Sequence, residues 1–486
     1  MRPAGAGIAG LLSRREQAAN TALLCDQGAF SYAQLEQRVE YLCAGLSALG
    51  VKPGMTIGCA APDCVLNLLL LHALPRLGCA FLPLNSSLPA ASVRRFISLG
   101  KVDVLIAEAP LVEGVACIRL EQLLAMDARL QPGCARLMPL AASSPHWLVC
   151  SSGTEGEGKL VLLTGDQLLS SVQASRERLC FTASDTWLLC LPMFHIGGLM
   201  IPLRCAEAGA KLVLHQGYDP VRLWHDLHQH GVTHLSLVPA MLARLLQHSA
   251  GQPPPAHLRV VLTGGAALPP GMAQAALNAG WPLCPSYGMT EAASQVATLY
   301  PPPSRYVEGL VGRPLAHLQV KIAPESGRIM IKGGSMMLAY AGQPAQHDGW
   351  LLTSDLGRLD EHGNLTVLGR SDEVFISGGE NVHPRQLEHI LLDCPGVEDV
   401  AVTAVSHTVW GDKLVALYVG ELSCRALRAW SKTSLPGFMR PKDFVRVDAL
   451  PRTALGKLRR KLLPGVYGFL QEQQDKDQQT PGQRDS

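Results

Sequence analysis

Short apolar runs alternate with helix-length amphipathic stretches along most of the chain. Runs at 55–60, 81–83, 104–107, 147–150, 211–214, 234–238 and 258–262 are apolar at successive positions rather than at every second one. A strand of that kind is covered on both faces, and the amphipathic stretches between such strands are the helices that cover them. The pattern predicts parallel α/β layers. Between 307 and 371 the rhythm shortens to small strands and turns, with apolar runs at 319–322, 329–331 and 365–368, which predicts a β-rich subdomain. Beyond Asp372 a helix at 385–392 and strands at 397–404 and 414–419 make a separate α+β unit. The fold class is therefore α/β. A large N-terminal domain (1–371) holds layered α/β subdomains plus the β-rich one, and a small α+β C-terminal domain spans 372–470. Residues 471–486 are Gln, Asp, Lys and Pro with little to bury, and are expected to be disordered.

At 486 residues the chain exceeds one compact core and requires at least two domains. Its formal charge of +2 and the absence of a basic stripe with interleaved aromatics exclude nucleic acid as a partner on electrostatic grounds. Partners are expected to be small molecules or protein, with a homo-oligomer left open. The 14 cysteines are scattered singly through apolar runs, as at Cys59, Cys79, Cys150 and Cys190, with no C-x-x-C pair. They read as reduced core residues of a cytoplasmic protein. The first twenty residues lack a convincing cleavage site, so no signal peptide is read. The most apolar run, 65–84, is interrupted by His72, Pro75 and Arg76, so it predicts buried helix and strand and no integral membrane segment.

Four clusters carry candidate chemistry. Asp355, after Thr353-Ser354, and Arg370, in Gly369-Arg370-Ser371-Asp372, suit the two hydroxyls of a ribose, because a carboxylate accepts both O–H groups. Ser151-Ser152-Gly153-Thr154-Glu155-Gly156-Glu157-Gly158-Lys159 follows a strand. Its glycines and hydroxyls let backbone N–H groups wrap phosphate oxygens while Lys159 adds charge. The spacing also fits a Walker A loop, but that motif needs Ser or Thr next and here Leu160 stands there. In Ser286-Tyr287-Gly288-Met289-Thr290-Glu291, Tyr287 can stack on adenine, Thr290 can reach a phosphate and Glu291 can hold magnesium. Small residues at Gly265, Ala266 and Ala267 leave room for a base. The fourth cluster is 450–457, ending in Gly456-Lys457. Two further patterns fail their context. Gly5, Gly7 and Gly10 match a dinucleotide fingerprint with no strand before them. His225, His228, His230 and His234 have ligand-like spacing but no acidic or Cys partner was read for them.

The four clusters, in this order along the chain, resemble the acyl-CoA synthetase and luciferase-like adenylate-forming superfamily, over nearly all of the sequence except the tail. The resemblance implies ATP, Mg2+ and coenzyme A as cofactors and co-substrates, and a carboxylic acid as the partner to be activated. It makes Ser151, Ser152, Gly153, Thr154, Gly156 and Lys159 the triphosphate loop. It places Gly265, Ala266, Ala267, Tyr287 and Gly288 around adenine, and Asp355 and Arg370 on the ribose. Thr290 and Glu291 become catalytic, with Glu291 on the metal, and Lys457 becomes the lysine of the adenylation step. Asp372 becomes the hinge of a mobile C-terminal domain, and Gly378 and Gly379 border the pantetheine tunnel. His195 would stand where acyl pocket meets that tunnel. The phosphate loop departs from the family's T-S-G-T-T-G-x-P-K at Glu155 and Gly158. Residues 287–298 and 234–239, followed by Arg244, are most similar to the 2-succinylbenzoate–CoA ligases of menaquinone biosynthesis. There Arg244 would attract the second carboxylate of the acid, beside His195, Gly288 and Ser294. That branch usually has Ser where this chain has Gly197. A medium-chain or aryl acyl-CoA ligase, an adenylating protein that does not use CoA, and a nucleotide binder remain the alternatives.

Overall fold

The predicted strands pair into two sheets in which parallel pairing dominates. The first runs Ser294–Thr298, Leu283–Met289, Val260–Thr263, His234–Leu237, Thr186–Leu189, Lys211–Leu214, Thr21–Cys25, Gly28–Ser31, antiparallel only at its two outer pairs. The second runs Ala339–Tyr340, Lys159–Thr164, Pro145–Ser151, Ala80–Pro83, Thr56–Cys59, Val104–Ala107, Ala116–Arg119. The computed structural model describes residues 7–13, 17–126, 137–151, 158–344, 349–377, 380–382, 384–407, 411–452 and 458–479. The chain divides into two compact units. One comprises Met1–Ile322, Met330–Leu352 and Leu359–Thr366, the other Ala323–Ile329, Thr353–Arg358 and Val367–Ser486.

In the first unit a single apolar core draws Ile57, Phe81 and Trp147 from one sheet and Leu23, Trp187 and Leu212 from the other. Helices Tyr32–Ala48, Cys64–Arg76 and Ile196–Ala208 contribute Val39, Leu70, Leu74, Leu199 and Leu203 to it. Their starts are written locally. Ser31 and Gln34 form a reciprocal capping box, and the Asp63 carboxylate accepts from the N–H groups of Val65 and Leu66. The apolar run 65–84 thus resolves into a buried helix, a turn and the strand Ala80–Pro83. The described cysteines are all free, and no helix among the described residues is long and apolar enough to cross a membrane.

The β-rich segment contains strands Leu310–Gly312, Leu318–Ile322, Arg328–Gly333, Leu351–Leu359 and Leu365–Arg370. In the second unit Val397–His407 and Gly411–Gly420 form a long antiparallel hairpin, with Asp443–Arg446 parallel to the latter. Side chains alternate across it. Val400, Val402, Leu414 and Ala416 pack with Leu387, Leu391 and Leu427 from two helices, while Ala401, Val415 and Leu417 pack with Leu463 and Tyr467. That second packing explains one departure from expectation: the final helix is Leu463–Gln479, so residues 471–479 are helical rather than disordered. Leu463 and Tyr467 anchor its first turns and the polar remainder continues from them; residues 480–486 lie outside the described residues.

Candidate active site

In parallel sheets the loops at the carboxyl ends of neighbouring strands converge, and ligands bind there. In the eight-stranded sheet Thr186–Leu189, His234–Leu237, Val260–Thr263 and Leu283–Met289 are consecutive neighbours. The segments leaving their carboxyl ends carry His195, Arg244, Gly265-Ala266-Ala267 and the Tyr287–Glu291 motif. Four separate stretches of sequence therefore meet at one sheet edge because of strand order alone.

Backbone crowding sets the geometry of that edge. A Cβ added at Gly288 would lie 2.1 Å from the carbonyl oxygen of Ser294. The hairpin pairs Met289 with Ser294, and the chain reverses through Ala293 and Ser294 at φ +50° and +97°. Gly265 also has positive φ, +80°, and Gly265, Ala266 and Ala267 are exposed. Thr290 opens the short turn Thr290–Ala292, which carries Glu291. Tyr287 is half-buried on the preceding strand.

Glu291 is linked to the phosphate-loop lysine through a residue the sequence reading did not single out. Strand Ala339–Tyr340 pairs with Lys159–Thr164. The Tyr340 hydroxyl donates to Glu291 Oε1 at 3.0 Å, and Lys159 Nζ lies 4.9 Å from the centre of the Tyr340 ring. Burial, and then the Glu291 charge, push the Tyr340 phenol up, so it remains a donor. Ser151 and Lys159 pair in register and so close the base of the loop between them, with Arg95 Nη1 donating to the Gly158 carbonyl at 2.7 Å. Position 158 has little room: an added Cβ would come within 2.8 Å of both Phe96 Cζ and the Ser151 carbonyl oxygen. This accounts for Gly where the family has Pro. Ser152, Gly153, Thr154, Glu155 and Gly156 lie outside the described residues.

His195 is half-buried, caps the helix Ile196–Ala208 and packs its ring 4.7 Å from Phe194. Gly198 is sterically required, since a Cβ would sit 2.3 Å from the Pro192 carbonyl oxygen, whereas at Gly197 it would meet only Leu191 Cδ1 at 3.8 Å. Arg204, on the same helix, is 2% exposed, and its Nη2 donates to Ser294 Oγ at 3.2 Å. Arg244 is exposed on Pro239–Ser249, with its guanidinium 5.1 Å over the Tyr218 ring. No hydrogen bond or ion pair among the described residues joins it to His195, Gly288 or Ser294.

In the second unit Asp355 and Arg370 are brought together, with Nη1 to Oδ1 at 3.4 Å. Thr353 holds the Asp355 loop: its hydroxyl donates to the Ile329 carbonyl at 2.8 Å and accepts from Asp355 N at 3.1 Å. Arg370 also grips Asp372 with two bonds, Nε–Oδ1 at 2.8 Å and Nη2–Oδ2 at 2.9 Å. Burial pulls the Arg370 pKa down, but the bond to Asp372 and the charges of Asp355, Asp372 and Glu373 outweigh that, and the net shift is upward. Gly378, Gly379 and Lys457 lie outside the described residues. The lysine loop is framed by a bridge between Arg452 and Leu458 and by Arg459 N donating to the Pro451 carbonyl at 2.8 Å. Arg452 pairs with Asp399, and Arg460 forks onto Glu388 at 2.6 and 2.5 Å while its Nε lies 3.3 Å from Glu373.

The histidine series has an acidic partner that the sequence reading passed over. Asp226 Oδ2 lies 2.8 Å from His215 Nε2, and Asp226 Oδ1 lies 2.9 Å from His225 Nδ1 and 3.6 Å from His230 Nε2. His234 is instead a core ring packed on Phe181 and Trp187, its pKa pulled down to about 4 by burial.

Comparison with known proteins agrees with this geometry. A family model described as AMP-binding enzyme matches residues 13–341, and one described as AMP-binding enzyme C-terminal domain matches 386–457. A 2-succinylbenzoate–CoA ligase of Listeria monocytogenes serotype 4b is 33% identical over 450 residues, 91% of this chain and 96% of the relative. Among solved structures, o-succinylbenzoate CoA synthetase from Bacillus subtilis, in complex with the acyl-adenylate intermediate OSB-AMP, superposes with a TM-score of 0.86 at 29% identity. The match covers 93% of this chain and 97% of that one. ATP-bound MatB from Rhodopseudomonas palustris gives 0.87 at 25% identity, covering 95% and 98%.

Proposed function

The chain belongs to the AMP-binding enzyme family, and from that premise we propose that it is an AMP-forming 2-succinylbenzoate–CoA ligase acting in menaquinone biosynthesis in the cytoplasm. The observation that carries the reading is the single sheet edge at which His195, Gly265-Ala266-Ala267 and Tyr287–Glu291 converge, with Lys159 tied to Glu291 through Tyr340. The similarity to a synthetase structure holding OSB-AMP supports it.

In the first half-reaction a carboxylate oxygen of the acid attacks the α-phosphorus of ATP and pyrophosphate leaves. In the second, the CoA thiol attacks the acyl carbon and AMP leaves. Tyr287 and the flat backbone at Gly265–Ala267 hold adenine, and Asp355 with Arg370 holds the ribose. Lys159 and the loop before it hold the triphosphate, and Thr290 donates to a phosphate oxygen. Glu291 fits a divalent cation: Tyr340 engages one carboxylate oxygen, and magnesium characteristically takes one or two carboxylates together with phosphate oxygens. Magnesium, when bound, neutralises phosphate charge. Lys457 offsets charge at the bridging oxygen as the adenylate forms. A domain boundary at Asp372 (1–371 against 372–470) would let Lys457 serve the first half-reaction and the Gly378-Gly379 segment the second, separating two geometries in time. His195, Gly288, Ser294 and Arg244 line the acid.

AMP release is measured over a panel of carboxylic acids with CoA. Fastest turnover with 2-succinylbenzoate is expected. Preference for an aryl or medium-chain monoacid would replace this substrate with the second reading, which Gly197 in place of the branch's Ser keeps specific. Pyrophosphate exchange without any acid-dependent thioester would reduce the chain to an adenylating protein that does not use CoA.

A further inference from the structure

Arg204 is a buried cation without a counter-charge. It is 2% exposed, and no carboxylate among the described residues pairs with it. Of its five N–H donors, one reaches Ser294 Oγ at 3.2 Å, and Nε has no partner. Its guanidinium carbon lies 5.4 Å over the Trp187 ring, a contact that favours a cation but does not neutralise it. Glu207, three residues on along the same helix, is paired with Arg176 at 3.1 Å. The adjacent Cys205 thiol is pushed up by burial and stays neutral. Burial lowers the Arg204 pKa only to about 10, so the side chain remains charged at neutral pH. A buried guanidinium is costly unless something compensates it, and unpaired buried polar groups are rare enough to call for a role.

The residue it touches occupies an unusual conformation. Ser294 sits at φ +97°, in a region that L side chains seldom adopt. Its carbonyl oxygen fills the space that a Cβ on Gly288 would need. Because Arg204 donates into Ser294 Oγ, it occupies an acceptor lone pair of that hydroxyl and orients the O–H as a donor. A nearby buried cation strengthens such a donor toward an anion.

We propose that Arg204 is a specificity-determining positioning residue, holding Ser294 as a charge-backed hydroxyl donor for the second, non-reacting carboxylate of a dicarboxylic acid substrate. This rests on the reading of the site as an acyl-CoA ligase for 2-succinylbenzoate. It adds to Arg244, which is exposed, a second cation on the dry side of the pocket.

The test measures KM for 2-succinylbenzoate, KM for ATP, kcat and the thermal midpoint in the wild type, Arg204→Met, Arg204→Lys, Ser294→Ala and the Met/Ala double variant. Methionine keeps much of the volume without the charge, so the fold should survive. The acid KM should rise about tenfold or more, the loss of one charge-backed hydrogen bond, with the ATP KM essentially unmoved. Arg204→Lys should recover part of the loss, and Ser294→Ala should add little to Arg204→Met because the two act as one unit. Acid and ATP KM values that move together, or strictly additive single losses, would overturn the proposal. If Arg204→Met does not fold, Ser294→Ala alone must still raise the acid KM selectively, and its failure to do so counts equally against the idea. A wild-type chain inert toward 2-succinylbenzoate overturns the functional reading itself, whereas an active wild type with an unaffected Arg204→Met overturns only this inference.

Discussion

At the edge of the eight-stranded sheet the candidate residues are fixed by crowding. Gly288 has no space for a Cβ, Ser294 and Ala293 turn at positive φ, and Gly264 lies against the Ser286 carbonyl, where a Cβ would come within 3.1 Å. In the second unit the same task falls to ion pairs: Arg370 with Asp355 and Asp372, Arg460 with Glu388 and Glu373, and Arg452 with Asp399. Steric fixation is short-ranged and indifferent to salt. Ionic fixation depends on burial, so its members should differ sharply from one another. The first arrangement suits a site that must be preorganised at all times. The second suits a segment that makes and breaks contacts during a cycle.

The largest effect should come from the most buried pair. Arg460 and Glu388 side chains are 17% and 9% exposed, and Glu388 also accepts from Val402 N at 2.6 Å. Arg460→Met strands a buried carboxylate, and breaking such a pair typically costs about 3–5 kcal/mol. Urea unfolding of the variant should show a second-unit transition at lower denaturant while the first unit keeps its own. A single unshifted transition would mean that the pair contributes little.

Next in size is Lys457→Ala, which should slow adenylation on the order of 10²-fold or more, as when a preorganised charge-stabilising donor is removed. Thioester formation from supplied acyl-adenylate should be spared. Equal damage to both half-reactions would mean that the lysine serves the fold of its loop rather than one transition state.

Gly288→Ala probes the steric side. Forcing a methyl group against the Ser294 carbonyl should cost roughly 1–3 kcal/mol as the hairpin shifts. Because the collision is local, the expected signature is loss of acid and ATP affinity out of proportion to loss of thermal stability, and no recovery at high salt. A variant with unchanged KM values would show that the hairpin yields easily and that crowding is not what holds this edge.

Much of this arrangement is legible in the sequence, for reasons particular to each part. Uninterrupted apolar runs give buried parallel strands, so Val104–Ala107 and Lys211–Leu214 coincide with their runs. Glycine-rich and hydroxyl-rich loops carry their chemistry in their composition. What leaves no local trace is pairing across long separations. Tyr340 meets Glu291 49 residues away, and Arg204 reaches Ser294 across 90. Asp226 lies beside His225 in sequence, yet its bond to His215 depends on how a helix packs on a strand end. The terminal helix fails differently: its polar half lacks any burial signal, and its helicity is carried by two residues at its start.

The smallest effect sharpens the comparison most. Arg452 and Asp399 brace one end of the lysine loop with three contacts of 2.8 to 3.3 Å, geometry as good as that of Arg460. Yet their side chains are 39% and 33% exposed. Water screens such a pair, and exposed pairs contribute about 0.2–1 kcal/mol. Arg452→Gln should therefore barely shift the unfolding transition and should slow adenylation only a few-fold. At 1 M salt, where the screening length falls to about 3 Å, wild type and variant should converge. The Arg460→Met deficit should persist under the same conditions, since salt does not reach a buried carboxylate. If instead Arg452→Gln matched Arg460→Met in size and ignored salt, position in the loop rather than burial would govern the ionic brace, and the contrast between the two units would lose its physical basis.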